Sequence, residues 1–172
     1  MFESNDTYVE EAVKSAETKK QSTVKNCFLA LTIILLAATA IMPNLIFTIL
    51  LIVSAIFTIL KFSEKNVEYE YIYTNGSLDV AKIINNSKRK KVVSVESADV
   101  MMIAELGTNE ALKYDNANMK FFDCSAHNEE KTDYILVGHS QEKDFDFKML
   151  FTPGEKLMNA MKRYNKQKIY EK

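Results

Sequence analysis

The sequence predicts an α+β fold, in which a transmembrane helical hairpin precedes a seven-stranded antiparallel barrel or sandwich capped by a C-terminal helix. Two observations predict it. From Cys27 to Leu60 the chain runs 34 residues without a charged side chain. After residue 65, short segments alternate apolar and polar residues until an amphipathic helical stripe begins near the end. A long apolar run is typical of membrane spans, and alternation is typical of strands with one buried face.

The apolar run is too long for one straight span. As a single helix it would be about 50 Å long, against a hydrocarbon core of about 30 Å. Pro43 lacks an N–H and disfavours helix at the residue before it, and Asn44 is a good turn residue. We therefore expect a hairpin over residues 24–62, with spans at 24–42 and 45–62.

The two spans should pack closely, because small side chains recur on both. These are Ala37, Ala38 and Ala40 on the first span and Ser54, Ala55 and Thr58 on the second.

The flanking lysines predict the orientation of the hairpin. Lys19, Lys20 and Lys25 precede the first span, Lys61 and Lys65 follow the second, and the connecting turn is uncharged. By the positive-inside rule both termini face the cytoplasm. The expected location is therefore the cell membrane, with two spans.

A cleaved signal peptide is the competing interpretation of the first span, since Ala38-Thr39-Ala40 has the small-x-small form of a cleavage site. The acidic leader argues against it, because a signal peptide begins with a short basic region. We expect residues 1–23 to form a cytoplasmic tail, either frayed or with a brief amphipathic helix, since Val9 and Val13 share one helical face.

The pattern of apolar and polar residues over 66–165 predicts a separate domain. Val67, Tyr69, Tyr71 and Tyr73 alternate with polar residues, and Asn75-Gly76 then supplies a hairpin turn. Further strands are expected at 78–84, 90–95, 99–105, 119–124, 133–139 and 145–151, with a loop containing a helical turn at 107–114. Pro153 opens the final helix, whose apolar stripe is Leu157, Met158, Met161 and Tyr164, and a basic tail follows at 166–172.

This element order resembles the pleckstrin-homology-like (PH-like) superfold. The stretch from Tyr69 to Asp79, with Lys88-Arg89-Lys90 further on, is similar to a family of small two-span membrane proteins from clostridial-type bacteria. The resemblance implies a cytoplasmic PH-like domain and brings no catalytic residues. Lipid-binding PH domains gather basic residues around the first hairpin loop. We take residues 74–77 as that loop, and its neutrality predicts no head-group-selective pocket.

The most concentrated charge is Lys88-Arg89-Lys90-Lys91. It is either a charged strand edge that blocks further pairing, or a contact with the anionic inner leaflet. Each basic residue near such a surface contributes about 1 kcal/mol. The net charge of −1 and the lack of interleaved aromatic residues argue against nucleic acid as a partner.

Chemistry-bearing residues are few. Cys124, His127 and His139 are weak candidates for a metal site or a nucleophilic pair, and a buried cysteine with two edge histidines is the simpler interpretation. We expect no metal, no cofactor, no small-molecule substrate and no enzymatic activity. The expected function is a membrane-anchored module that binds an unknown protein partner and, unselectively, anionic lipid. The alternative is an accessory subunit of a membrane enzyme or transporter.

Overall fold

The computed structural model describes residues 7–64 and 66–171. The chain divides into two compact units. One is the segment Glu17–Lys65, and the other is formed by the residues on either side of that segment. The second unit is therefore discontinuous in sequence.

The inserted unit is a pair of helices, α1 (Lys19–Ile41) and α2 (Leu45–Ser63). They break at Pro43 and Asn44, as the sequence predicts, and the Asn44 side chain caps α2 by accepting a hydrogen bond from the Ile46 N–H at 2.9 Å. The first helix begins at Lys19 rather than residue 24, because Thr18 forms a capping box with Gln21.

The helices meet along small and polar side chains. The Thr32 hydroxyl oxygen lies 2.7 Å from that of Ser54 and 2.9 Å from that of Thr58. The rings of Phe28 and Phe57 stack with their centroids 6.0 Å apart. Ser54 and Thr58 thus lie at the expected contact, whereas Thr32 was not expected. Cys27 and Leu60, which are the two ends of the uncharged run, are both exposed.

The first sheet of the other unit has four antiparallel strands in sequence order: β1 (Tyr8–Ser15), β2 (Val67–Thr74), β3 (Ser77–Ile84) and β4 (Lys88–Glu96). Asn75 and Gly76 form the tight turn between β2 and β3, with φ of 48° and 94°. Asn and Gly adopt this left-handed backbone at the least steric strain.

The second sheet has five strands in the order β6-β8-β7-β5-β9. In chain order its region contains β5 (Val100–Glu105), the short helix α3 (Asn109–Leu112), β6 (Lys120–Cys124), β7 (Tyr134–Ser140), β8 (Phe145–Phe151), helix α4 (Glu155–Asn165), a 3-10 turn (Lys166–Lys168) and β9 (Ile169–Tyr170). The pairs β6–β8 and β5–β9 are parallel.

The core lies between the two sheets and under α4. Tyr71, Phe147 and Met149 are fully buried there, together with Leu157 and Met161 of the predicted apolar stripe. Met158 is buried as well, whereas Tyr164 is 44% exposed. The stripe therefore packs over the core along most of its length.

Two expectations require correction. Within the expected tail of residues 1–23, Tyr8–Ser15 form a strand rather than a frayed segment or a helix, and all eight residues pair with β2, while residues 1–6 lie outside the described part of the chain. The spacing of Val9 and Val13 fits both structures, because residues four apart share a face in a strand as well as in a helix. The expected seven-stranded antiparallel barrel or sandwich is also replaced by two sheets of four and five strands among the described residues. These sheets do not close into a barrel, and two of the pairings are parallel.

The position of the first hairpin changes accordingly. Residues 74–77 form the second connection of the sheet, and the first connection, between Ser15 and Val67, contains both apolar helices.

Candidate functional site

The basic run Lys88–Lys91 forms the start of β4. Lys88 pairs with Ile84, which pairs with Val67, which in turn pairs with Ser15. This row is the end of the first sheet. The chain leaves it at Ser15 toward α1 and returns to it at Val67 from α2. The structure thus places the basic run at the end of the sheet where the helical insertion begins and ends.

Two of the four basic side chains are held in ion pairs. The Arg89 Nε donates to Glu70 at 2.7 Å. The Lys91 Nζ lies 2.7 Å from a carboxylate oxygen of Glu142 and 3.7 Å from one of Asp79. The hydrogen bond between Lys91 and Glu142 raises the pKa of the lysine and lowers the pKa of the glutamate.

Lys88 and Lys90 differ from their neighbours. Both are exposed, and neither has an ion pair with any residue in the described part of the chain. Side chains alternate between the two faces of a strand, and directly paired residues share a face. Lys88 and Lys90 therefore lie on the same face of the sheet as Val67 and Tyr69. Of the four basic side chains in this run, Lys88 and Lys90 are therefore the two that no described acid neutralises.

Cys124 is a core residue. It is fully buried, and burial, with a smaller contribution from the charge of Asp123, raises the pKa of its thiol to about 12. The thiolate that a nucleophile requires is absent at neutral pH. No group of three His, Cys, Asp or Glu side chains within residues 7–64 and 66–171 could hold a metal ion.

His127 belongs to a cluster that the sequence analysis missed. The Ser125 hydroxyl donates to Asp123 at 2.9 Å and lies 3.2 Å from the His127 Nδ1, while the His127 Nε2 lies 3.3 Å from the other Asp123 oxygen. These are the residue types of a hydrolytic triad, but Ser125 is fully buried and its proton is directed to the carboxylate. The cluster therefore stabilises the turn after β6.

His139 lies apart, on β7. Its Nδ1 is 2.8 Å from Asp146 on β8 and its Nε2 is 3.5 Å from Asp144. The hydrogen bond with Asp146 raises the pKa of His139 above its usual value.

An open cleft of about 480 Å³ lies at the start of α4. The α4 N-cap is Gly154, which has no capping side chain. Instead, the Glu11 carboxylate of β1 accepts a hydrogen bond from the Gly154 N–H at 3.0 Å. A negative charge at a helix N-terminus is stabilising, so Glu11 joins β1 to α4. This contact between residues 143 positions apart leaves no local sequence signal.

The C-terminal segment contributes one residue to the lining of this cleft. Glu171 lines the cleft, with its carboxylate 2.7 Å from the Lys162 Nζ and 3.4 Å from the Tyr134 hydroxyl. Burial, followed by the charge of Glu171, raises the pKa of Tyr134 to about 12.

Residues 5–171 match the model of a family described as a bacterial PH-like domain, DUF6106. The chain belongs to this family. The DUF6106 match confirms the expected PH-like and bacterial character, while the clostridial affiliation stays a prediction. The matched range includes α1 and α2. No curated protein and no solved structure matches the chain.

Both helices of this DUF6106 protein are long and apolar enough to cross a membrane.

Proposed function

We propose that the protein is a non-enzymatic, membrane-anchored interaction module that presents its PH-like domain at the cytoplasmic face of the membrane. The observation that carries this proposal is the outward display of apolar side chains by both helices. None of the α1 residues is buried, and Ser54 is the one buried residue of α2. The core helix of a soluble protein buries its apolar face, whereas a membrane helix directs it to lipid.

The position of β1 supports retention of the first helix. Cleavage after Ala40 would remove β1, which pairs along the whole of β2. The exposed edge of β2 would then lack its partner, and the buried side chain of Val13 would be lost from the core. An uncleaved hairpin is therefore the interpretation consistent with the sheet.

The charges at the helix ends support cytoplasmic termini. Lys19, Lys20 and Lys25 lie in the first two turns of α1 and Lys61 in the last turn of α2, while Pro43 and Asn44 between the helices are uncharged. Translocating the neutral turn is far less costly than translocating the lysines.

Lys88 and Lys90 then provide a weak contact with the anionic inner leaflet. Three residues separate Ser15 from α1, and three separate α2 from Val67. Such connectors reach at most about 14 Å, which keeps this end of the sheet near a membrane that the helices span. Two free lysines contribute about 1 kcal/mol each, and tethering makes so weak a contact sufficient. We expect salt-sensitive, unselective association.

Topology is tested by impermeant maleimide labelling of the full chain in intact cells, in a background where Cys27 is Ser. A cysteine at Asn44 should be labelled from outside, and a cysteine at Asn128 should react only after permeabilisation. Labelling of Asn128→Cys in intact cells would contradict the proposed orientation.

Leaflet contact is tested with two matched double variants of the full chain in nanodiscs with and without phosphatidylglycerol. Lys88→Gln with Lys90→Gln removes the unpaired charges, and Arg89→Gln with Lys91→Gln removes the same charge from the paired positions. The readout is quenching of a fluorophore at Asn86→Cys by head-group-labelled lipid. Only the first variant should lose the salt-sensitive quenching. An equal loss in both would show that general charge, rather than these lysines, is responsible.

The protein partner is tested by purification in mild detergent and identification of what copurifies. A membrane enzyme or transporter in constant proportion to the chain would favour the alternative function, an accessory subunit.

A further inference from the structure

One strand edge of the second sheet is only partly covered. Strand β5 pairs with β7 along its length on one side. On the other side, β9 pairs with Ile103 and Ala104 alone, although β5 is six residues long. At residues 100–102 this edge has no neighbouring strand in the described part of the chain, and the 3-10 turn Lys166–Lys168 contacts β5 instead. An incompletely paired edge is a template for an extended segment.

The contacts of the C-terminal segment show what this edge accepts. Ile169 is partly buried against the core cluster, and the Lys168 Nζ donates to the main-chain carbonyls of Ser97 and Ala98 at 2.9 and 3.3 Å. Glu171 is held by Lys162 and Tyr134. The recognised pattern is therefore an aliphatic residue, any residue and an acid, preceded by a lysine.

The C-terminal segment has few main-chain pairings and few buried side chains. It makes two ladder pairings, and the side chains of Lys166, Gln167, Tyr170 and Glu171 are exposed. Short segments with few buried contacts open at low free energy compared with the core.

We propose that the β5 edge is a strand-addition site, that the segment Lys166–Glu171 is its resident occupant, and that an extended segment of a partner protein with an aliphatic-x-acidic pattern displaces it. A longer segment pairs with more of β5 than the two residues that β9 covers. Its aliphatic residue takes the place of Ile169, and its acid takes the place of Glu171 beside Lys162. This inference rests on the proposed role as an interaction module and names the partner's chemistry.

Displacement also enlarges the site. Because Glu171 is one of the residues that line the cleft at α4, its departure opens the cleft beside Tyr134 and Lys162. The resident segment competes at the high effective concentration of a tethered ligand, so only partners that gain more pairing succeed.

The test uses the full chain in detergent and a fluorescein-labelled peptide with the sequence of residues 165–172, measured by fluorescence anisotropy. The intact chain should bind it weakly. Ile169→Asp in the protein, which places a charge at the buried contact of the resident segment, should tighten binding at least about ten-fold because the tethered competitor is removed. Gln167→Asp adds the same charge at an exposed position and should bind like the intact chain.

Two peptide variants test the pattern. The peptide with Ile169→Asp and the peptide with Glu171→Lys should each bind the Ile169→Asp protein at least about ten-fold more weakly than the parent peptide. Hydrogen exchange of residues 100–106 should be faster in the Ile169→Asp protein and slow again when the peptide is added.

Several results would overturn the inference. One is equal binding to the intact and Ile169→Asp proteins, and another is no binding to an Ile169→Asp protein whose circular dichroism matches that of the intact chain. If Ile169→Asp unfolds the domain, a chain ending at Asn165 replaces it, and failure of both to fold shows an obligatory structural segment.

A dimer that becomes a monomer on truncation would identify a second copy, rather than another protein, as the occupant. These measurements need no membrane, so their failure leaves the topology result unaffected, and a wrong topology leaves them unaffected.

Discussion

Removing the hydroxyl of Tyr71 should destabilise the domain more than any other loss of a single tyrosine oxygen. Tyr71, on β2, is fully buried and its hydroxyl donates to the Cys124 carbonyl on β6 at 2.5 Å. The same oxygen accepts from the Thr152 N–H at 3.3 Å. One side chain of the first sheet thus satisfies two buried main-chain groups, one at the end of β6 and one directly after β8.

The magnitude follows from these contacts. Tyr71→Phe keeps the ring and its edge-to-face contact with Phe151, whose centroid is 6.0 Å away. It leaves one carbonyl and one N–H without this partner. A buried polar group left unsatisfied costs about 1–3 kcal/mol, and the longer of the two bonds is weak, so we expect a loss of about 2–3 kcal/mol in the free energy of unfolding. That corresponds to a fall in Tm of about 5–10 °C.

The assay is thermal unfolding of the full chain in detergent, followed by near-ultraviolet circular dichroism. Tyr164→Phe is the matched control, because this side chain is 44% exposed and the structure gives its hydroxyl no hydrogen bond to a described residue. It should change the free energy by less than about 0.5 kcal/mol. Equal effects of the two substitutions would refute the argument that the buried hydroxyl joins the two sheets.

Three further predictions concern other contacts. Gly154→Ala should destabilise α4 by about 1–2 kcal/mol, because the new Cβ would lie 2.0 Å from a Glu11 oxygen and displace the acid that caps the helix; in a Glu11→Ala background the added effect should vanish on chemical denaturation. His139→Gln should reduce the dependence of Tm on pH. Because Asp146 raises the histidine pKa, the stabilisation is complete below the unfolded pKa and is lost as the pH rises through the folded pKa. Thr32→Ala should weaken the helix pair by about 0.5–1.5 kcal/mol in a detergent unfolding assay, more than Thr39→Ala, whose hydroxyl bonds only within α1.

What the sequence could predict was local. Pro43 and Asn44 break the helices because proline and asparagine act within a residue or two of their own position. Asn75-Gly76 forms its turn for the same reason. The apolar residues of α4 recur with the period of a helix, about 3.6 residues, which differs from the period of about 2 in a strand.

The rest depended on distant partners. Strand β1 pairs with β2, and the two apolar helices lie between these strands in the sequence. The pattern of residues near Ser15 therefore contains no sign of its pairing with Val67. Strand β9 has two residues, too few to show any period.

The candidate basic site was predicted only in part. The sequence shows four consecutive charges at Lys88–Lys91, and alternation along a strand predicts two faces. It does not show that Glu70 forms an ion pair with Arg89 and Glu142 with Lys91, because those acids lie elsewhere in the sequence. Local charge patterns therefore locate a basic run without showing how much of it is free.

The discontinuous domain leads to a last prediction about which fragment can fold. Residues 66–172 lack β1, so the edge of β2 is unpaired and Val13, whose burial contributes about 1.5–3 kcal/mol, is missing. We expect this fragment to aggregate. Ser15 and Val67 are directly opposite each other in the ladder, which is the geometry that a two-residue turn closes. Replacing residues 16–66 by Asn-Gly repeats the turn already present between Thr74 and Ser77, and the resulting chain should be soluble and unfold cooperatively in urea. If residues 66–172 alone were as stable as this chain, β1 would not contribute to the stability of the domain.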